Sequence, residues 1–207
     1  MTSKMMRENP LFMRNNLNSV GKWGFALNRK QDIDLTDLHL IASSNTRMND
    51  TPKNRMNGVH HYVDDYRFNS VYDYPERSLL KYSQYRLLIS PEYSTYADMD
   101  LWRQIESTGK NRWVGSYWQS KGLSVVPAIC WSTPRSYDFC FDAVETGSIV
   151  AVGMIECKTQ KKAFLHGYDA MMERIAPSAI IILGTPFPEM RGNIIPVAYK
   201  YNGKGGC

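Results

Sequence analysis

The sequence predicts an α/β fold: a mainly parallel sheet with flanking helices, built either as an open Rossmann-like sheet or as a reduced (β/α) barrel. Three observations carry that expectation. Five runs, from "VHHYVDD" to "AIIILGT", are near-continuous in Val, Ile, Leu and Ala, as strands covered on both faces are. Helix-length segments with start and stop signals lie between several of them. Strand, helix, strand in repetition implies right-handed crossovers and parallel pairing.

Residues 1–18 are polar, Met-rich and without a clear period, so they read as an irregular arm before a single domain over 19–200. "KWGFALN" and "LHLIASS" are the first candidate strands. "DTPKNRMNG", Asp50 to Gly58, is basic and Asn-rich and reads as an exposed loop. "VHHYVDD" follows as a strand, then a helix over "YPERSLLKYS" with Pro75 at its first position and Glu76 beside it. After "YRLLISPE" comes a long helix whose cap is Asp100 and whose stop is Lys121-Gly122. "LSVVPAICW" and "SIVAVGMIE" are further strands. "KKAFLHGYDAMMERIAP" places Phe164, Tyr168, Met171, Met172 and Ile175 on one core-facing stripe and ends at Pro177. "AIIILGT" and "NIIPVAY" complete eight candidate strands, and "YNGKGGC" (201–207) reads as a flexible tail. Eight strands suit a compact barrel, but the first of them lack helix-length connections, so both architectures stay open.

Composition narrows the class. A chain of 207 residues, 43% of them apolar, can bury one substantial core but not two. No run reaches the roughly eighteen apolar residues of a membrane span, and the start lacks a signal-peptide pattern, so no membrane partner and a cytoplasmic location are expected. Cys130, Cys140, Cys157 and Cys207 are scattered and read as reduced, mostly buried thiols. The net charge of +5 is compatible with a polyanionic partner. Thirteen Tyr and five Trp exceed what such a core readily hides, so some rings should line grooves or interfaces.

In parallel α/β folds ligands bind where the carboxyl ends of the strands meet the helix N-termini. Here those ends carry Asp64-Asp65-Tyr66-Arg67, Ser90-Pro91-Glu92-Tyr93, Trp131-Ser132, Glu156-Cys157-Lys158 and Gly184-Thr185. Convergence of Asp64 or Asp65 with Glu92 and Glu156 would assemble carboxylates for acid-base work or for Mg²⁺. The competing role is helix capping. Asp65 and Glu92 fit capping less well, because aromatic residues and no helical pattern follow each of them. Asp142 with Glu156-x-Lys158 resembles the pattern of the PD-(D/E)xK nucleases, in which two acids hold a divalent metal and the lysine serves the attacking water. His60 and His61 alternate to opposite faces, so they should not share a metal. In "NRWVGSYWQSKG", Trp113, Tyr117 and Trp118 put rings on two faces of a helix beside Arg112, Gln119 and Lys121. Core packing accounts for one ring, and all three together call for a partner.

"VHHYVDDYRF", "LLISPEYSTYADMDLWRQI", "NRWVGSYWQSKGLSVVPAICW", "YDFCFDAVETGSIVAVGMIECK" and "IIILGTPFPEMRGNIIPV" together resemble the bacterial and phage family called domain of unknown function 4417, from about Gly21 to Val197. The resemblance implies a phage or mobile-element setting. It emphasises Asp64, Asp65, Arg67, Ser90, Glu92, Tyr96, Trp118, Gln119, Ser120, Trp131 and Gly184, and favours Cys157-Lys158 over Glu156.

The leading expectation is therefore a polar, aromatic-lined pocket at the strand ends that binds or processes a nucleotide or nucleic acid, with Mg²⁺ as the cofactor it admits. Asp64, Asp65, Glu92, Glu156 and Lys158 are the candidate catalytic residues. Arg67, Ser90, Tyr93, Tyr96, Trp118, Gln119, Trp131 and Gly184 are the candidate binding residues. A Mg²⁺-dependent nuclease and a non-enzymatic protein that binds a host factor are the alternatives.

Overall fold

A computed structural model describes residues 2–155 and 157–198. The arm carries two short helices, α1 (Ser3–Glu8) and α2 (Pro10–Met13), where the sequence reads as irregular. Thr2 and Asn9 cap them by accepting from Met5 N and Leu11 N. A small antiparallel ribbon, β1 (Ser19–Val20) with β2 (Phe25–Ala26), precedes the main sheet.

The main sheet comprises β3 (Leu40–Ala42), β4 (Gly58–His60), β5 (Leu87–Ile89), β6 (Val125–Val126), β7 (Ile149–Gly153), β8 (Ala179–Leu183) and β9 (Ile194–Val197). All neighbours pair in parallel, and the five strands the sequence singles out are β4 to β8. Helix α3 (Pro52–Arg55) lies inside the loop expected at 50–58. Helices α4 (Ser70–Asp73) and α5 (Pro75–Tyr82) link β4 to β5, α6 (Leu101–Ser120) links β5 to β6, and α7 (Lys161–Ile175) links β7 to β8. Pro75 opens α5 and Gly122, with φ of 79°, follows the end of α6, as the sequence signals. Asp100 occupies the cap position of α6 without a side-chain cap bond.

The ladder forms a four-stranded and a three-stranded sheet. A single parallel bridge joins them, Ala128 to Ala151, with Ile129 N and Ala151 N donating to Ala151 O and Pro127 O at 2.9 Å each. Strand order therefore follows chain order from β3 to β9 without reversal. A Rossmann-like sheet needs a reversal, because its ligand crevice is the point where winding changes direction. This sheet has no such point.

Winding in one direction with right-handed crossovers puts the helices on one face. Val59, Leu88 and Val125 pack there against Val71, Tyr82, Trp113 and Trp118 of α4, α5 and α6. Val150, Val152, Ile180 and Ile182 pack against Phe164, Tyr168, Met171 and Ile175 of α7. Among the described residues no helix packs on the opposite face. Leu87, Ile89, Val126, Ala151, Ile181, Leu183 and Val197 pack on one another there, joined by Leu35 and Leu38.

That self-burial requires a curled sheet. Tyr62, just past β4, packs so closely on Gly153 at the end of β7 that a Cβ there would stand 2.8 Å from the ring. Flat strands three positions apart would lie about 14 Å from each other. β3 and β9 remain the two edges of the sheet, so the curl stops short of a closed barrel among the described residues.

Candidate functional site

The first half of α6 turns a polar stripe inward: Gln104, Thr108, Asn111 and Arg112 are buried, at the helical spacing of one face. This stripe covers the loops that leave β5 and β6 and fixes them. Gln104 donates to Tyr96 O and Met99 O at 3.0 and 2.8 Å and accepts from Ser132 Oγ at 2.6 Å. Asn111 Nδ2 donates to Pro91 O at 2.6 Å.

Arg112 is 1% exposed and spends its guanidinium on carbonyls, reaching Asp142 O, Ala128 O and Cys140 O at 2.9, 3.1 and 2.5 Å, and on Asn111 Oδ1. Burial pulls its pKa down to about 10, opposed by Cys140, Asp142 and Cys130. It remains a cation at neutral pH. Its contacts fasten α6 across the junction of the two sheets.

At the carboxyl mouth the ends of β4 and β5 meet. Asp65 accepts from Ser94 N at 3.1 Å and from Ser94 Oγ at 2.9 Å, which ties the two loops together. Glu92 stands beside it, half-buried as a residue but with its carboxyl enclosed by protein. That enclosure raises its pKa to about 7; a hydrogen bond from Cys130 works against the rise and the charge of Asp65 adds to it. The Cys130 thiol is driven well above its usual range, first by burial and then by Glu92, and it sits 2.9 Å from Thr95 Oγ1. A thiol so disposed is a hydrogen-bond donor and not a nucleophile. Tyr62 is likewise raised by burial, then by Glu92 and Cys130, so its hydroxyl belongs to the same group. A cavity of about 10 Å³ lies between Glu92, Thr95, Thr108, Asn111, Arg112 and Cys130. That is room for one water and too little for a nucleobase.

Asp65 and Glu92 thus come together as the strand-end argument predicts. Asp64 does not join them: it is exposed and pairs with Arg67 at 3.3 Å. Tyr96 stands on the rim, 59% exposed. Glu156 lies outside the described residues. The Lys158 backbone falls in the turn Cys157–Gln160, directly before α7. Asp142 pairs with Arg174 at 3.0 Å near the end of α7, beside the amino ends of the strands, since Gly147 N donates to Ile175 O and Ser178 N to Ser148 O. Cys157-Lys158 follows the opposite, carboxyl end of β7.

Several of the expected binding residues make contacts within the fold. Ser90 is fully buried, donating to Asn111 Oδ1 at 3.2 Å and accepting from Ala128 N at 2.8 Å. Tyr93 is buried against Phe68 with ring centroids 5.1 Å apart. Gln119 clamps the chain at Arg29, accepting from its N–H and donating to its carbonyl, both at 2.8 Å. Trp131 packs on Phe141 and Phe164, close over Gly167. Gly184 adopts φ of 116° and donates to Val197 O, a backbone role.

Trp118 is completely buried, wedged between His61 and Tyr82 at 5.7 Å each. Trp113 and Tyr117 stack at 5.1 Å, and Arg14 of the arm lies over Trp113 and Tyr72 at 4.3 Å from each. All three rings in the second half of α6 are therefore packed within the chain, because the arm and α4–α5 cover both faces. His60 and His61 do diverge: His60 joins Tyr62, whereas His61 enters the aromatic cluster with Nδ1 at 3.1 Å from Ile89 O. Burial lowers them to about 4 and about 3, so both are neutral.

Sequence reasoning overlooked Cys130, Thr95, Asn111 and Arg112. The available signal was the polar i, i+4, i+7, i+8 stripe from Gln104 to Arg112 inside a helix next to a strand end. Among the described residues no group of three His, Cys, Asp or Glu is placed to hold a metal ion, and no helix is long and apolar enough to cross a membrane.

Comparison with known proteins agrees with the motifs. Residues 18–201 match the family described as Domain of unknown function (DUF4417). The "Gene 1 protein" of Mycobacterium phage L5 is 32% identical over 154 residues, 73% of this chain and 67% of that protein. The "Gene 1 protein" of Mycobacterium phage D29 is 34% identical over 129 residues, 61% of this chain and 48% of that protein. The aligned stretch is thus two thirds of one curated relative and about half of the other. No solved structure matches. With the match running from the first ribbon through β9, the chain belongs to the DUF4417 family, whose relatives here are phage proteins.

Proposed function

We propose that the protein binds or processes a nucleotide or nucleic acid at the carboxyl mouth of its sheet, with Glu92 as the proton-transfer group. The observation that carries this reading is Glu92 at the wall of a water-sized cavity, near enough to Asp65 to feel its charge, where burial of the carboxyl raises its pKa to about 7. A carboxyl balanced near neutrality can both take and return a proton, and a water beside it is a ready nucleophile. Cys130 and Thr95 position the carboxyl from behind. The charge of +5 and Arg67 at the rim support a phosphate-bearing ligand.

A panel of nucleotides and oligonucleotides, assayed with and without Mg²⁺, tests the reading. Glu92→Gln should retain ligand binding and lose turnover by about 10²-fold or more. Failure of the wild-type protein to bind or convert any member would sink it. A PD-(D/E)xK mechanism gains nothing from Asp142, which Arg174 engages at the other end of β7. The host-factor reading draws its support from exposed rings at the same mouth.

A further inference from the structure

We infer that the ligand of this mouth is a single-stranded nucleic acid, held by a rim of exposed rings and arginines on the segments that follow successive strands, the first turn of α6 among them; this rests on the proposed nucleotide site and extends it. Tyr66, Tyr96 and Trp102 are 72%, 59% and 64% exposed, the opposite of every ring on the second half of α6. Arg67 lies 5.4 Å from the Tyr66 ring centroid and Arg103 lies 5.9 Å from that of Trp102. Arg135, also exposed, follows the end of β6. The Asp65 to Ser94 bonds join the Tyr66 loop to the Tyr96 loop, and Gln104 joins Tyr96 O to Ser132 three residues before Arg135. The rim is therefore one connected, internally braced surface.

Rings beside guanidinium groups are what sequence-tolerant binding of unpaired bases requires: each base has a face to stack, and each phosphate needs a cation within reach. A duplex hides its base faces and offers little to this surface. The cavity has room for a water alone, so bases must lie on the rim and not inside it. Asp64 pairs with Arg67, and Asp98 and Asp100 are exposed in the Tyr96 loop, so binding will be modest and strongly salt-dependent.

Fluorescence anisotropy of the full chain with labelled DNA and RNA single strands of roughly 4 and roughly 16 nucleotides, a blunt duplex and a labelled mononucleotide reads this directly. Expected are tighter binding of the longer strand than of mononucleotide or duplex, and loss of roughly tenfold or more in affinity for Trp102→Ala and for Tyr96→Ala. Arg103→Ala should lower the salt slope by about one, whereas Lys53→Ala, exposed beside the amino ends of the strands, should leave it within a few tenths. The single-strand inference is overturned if mononucleotide or duplex binds as tightly as the long strand, or if the ring variants bind like wild type; the mononucleotide arm then still reports on the proposed site. Absence of binding to every nucleic acid and nucleotide overturns both, and so does salt-insensitive capture of a host protein through the same rings. Thermal melts of the rim variants matching wild type establish that the loss is one of contact.

Discussion

Trp113, Tyr117 and Trp118 on α6 are hidden, while Tyr66, Tyr96 and Trp102 at the mouth face solvent, although both sets mix aromatic residues with Arg or Lys in the sequence. What separates them is cover. The α6 rings lie where the arm, α4 and α5 converge, and each finds another ring within 6 Å. Tyr66 and Tyr96 sit on segments held by polar bonds to Asp65 and Gln104, which brace the backbone without burying the side chains, and Trp102 sits on the exposed side of the first turn of α6. Trp118 is buried although its indole N–H has no hydrogen-bond partner, a cost of about 1–3 kcal/mol that ring packing must outweigh. An aromatic residue thus serves the core or the surface according to what folds over it.

The contrast is sharpest in stability. Trp118→Ala should lower unfolding free energy by about 3–5 kcal/mol in urea denaturation, and Trp102→Ala should change it by no more than about 0.5 kcal/mol. Equal losses would erase the distinction. Next in size is Gly153→Ala, which pushes a methyl into the Tyr62 ring and should cost about 1–3 kcal/mol. A neutral result would mean that the sheet curls less tightly than the ring contact requires. A further difference concerns pH. Because the folded pKa of Glu92 is raised to about 7 from about 4.5, the folded state holds its proton more tightly than the unfolded chain does. Stability should fall as pH rises from about 4.5 through about 7, and Glu92→Gln should flatten that part of the profile. A wild-type slope of the opposite sign would contradict the enclosure of this carboxyl.

Much of the frame was legible in the residues. β4 to β8 announce themselves as apolar runs, and α5, α6 and α7 carry Pro75, Gly122 and an apolar stripe at their expected places. The meeting of Asp65 with Glu92 followed from strand-end logic alone. Curl did not, because it depends on Gly153 accepting a ring from three strands away, a contact with no local signature. The burial of Arg112 was equally silent: a long cation defaults to solvent, and three carbonyls from two distant segments, with Asn111 Oδ1, make its interior position tolerable. Cys130 was read as an inert thiol, since its role comes from Glu92 and Thr95 and not from any spacing of cysteines. The α6 rings were misjudged for the same reason, their cover arriving from residues about a hundred positions earlier, as the Trp113 to Arg14 bond shows.

The single bridge between Ala128 and Ala151 gives the molecule a seam. A continuous ladder protects its amides collectively, but here only two strand-to-strand backbone bonds cross the joint, beside the Arg112 guanidinium and the apolar packing shared by the two sheets. In deuterium the amides of Ile129 and Ala151 should exchange in concert and ahead of those in β8, with a lifetime set by Arg112 more than by sheet propensity. The mouth straddles that seam, Asp65 and Glu92 on one side and the turn that carries Lys158 on the other, so an opening of the joint would change the width of the site without unfolding either half.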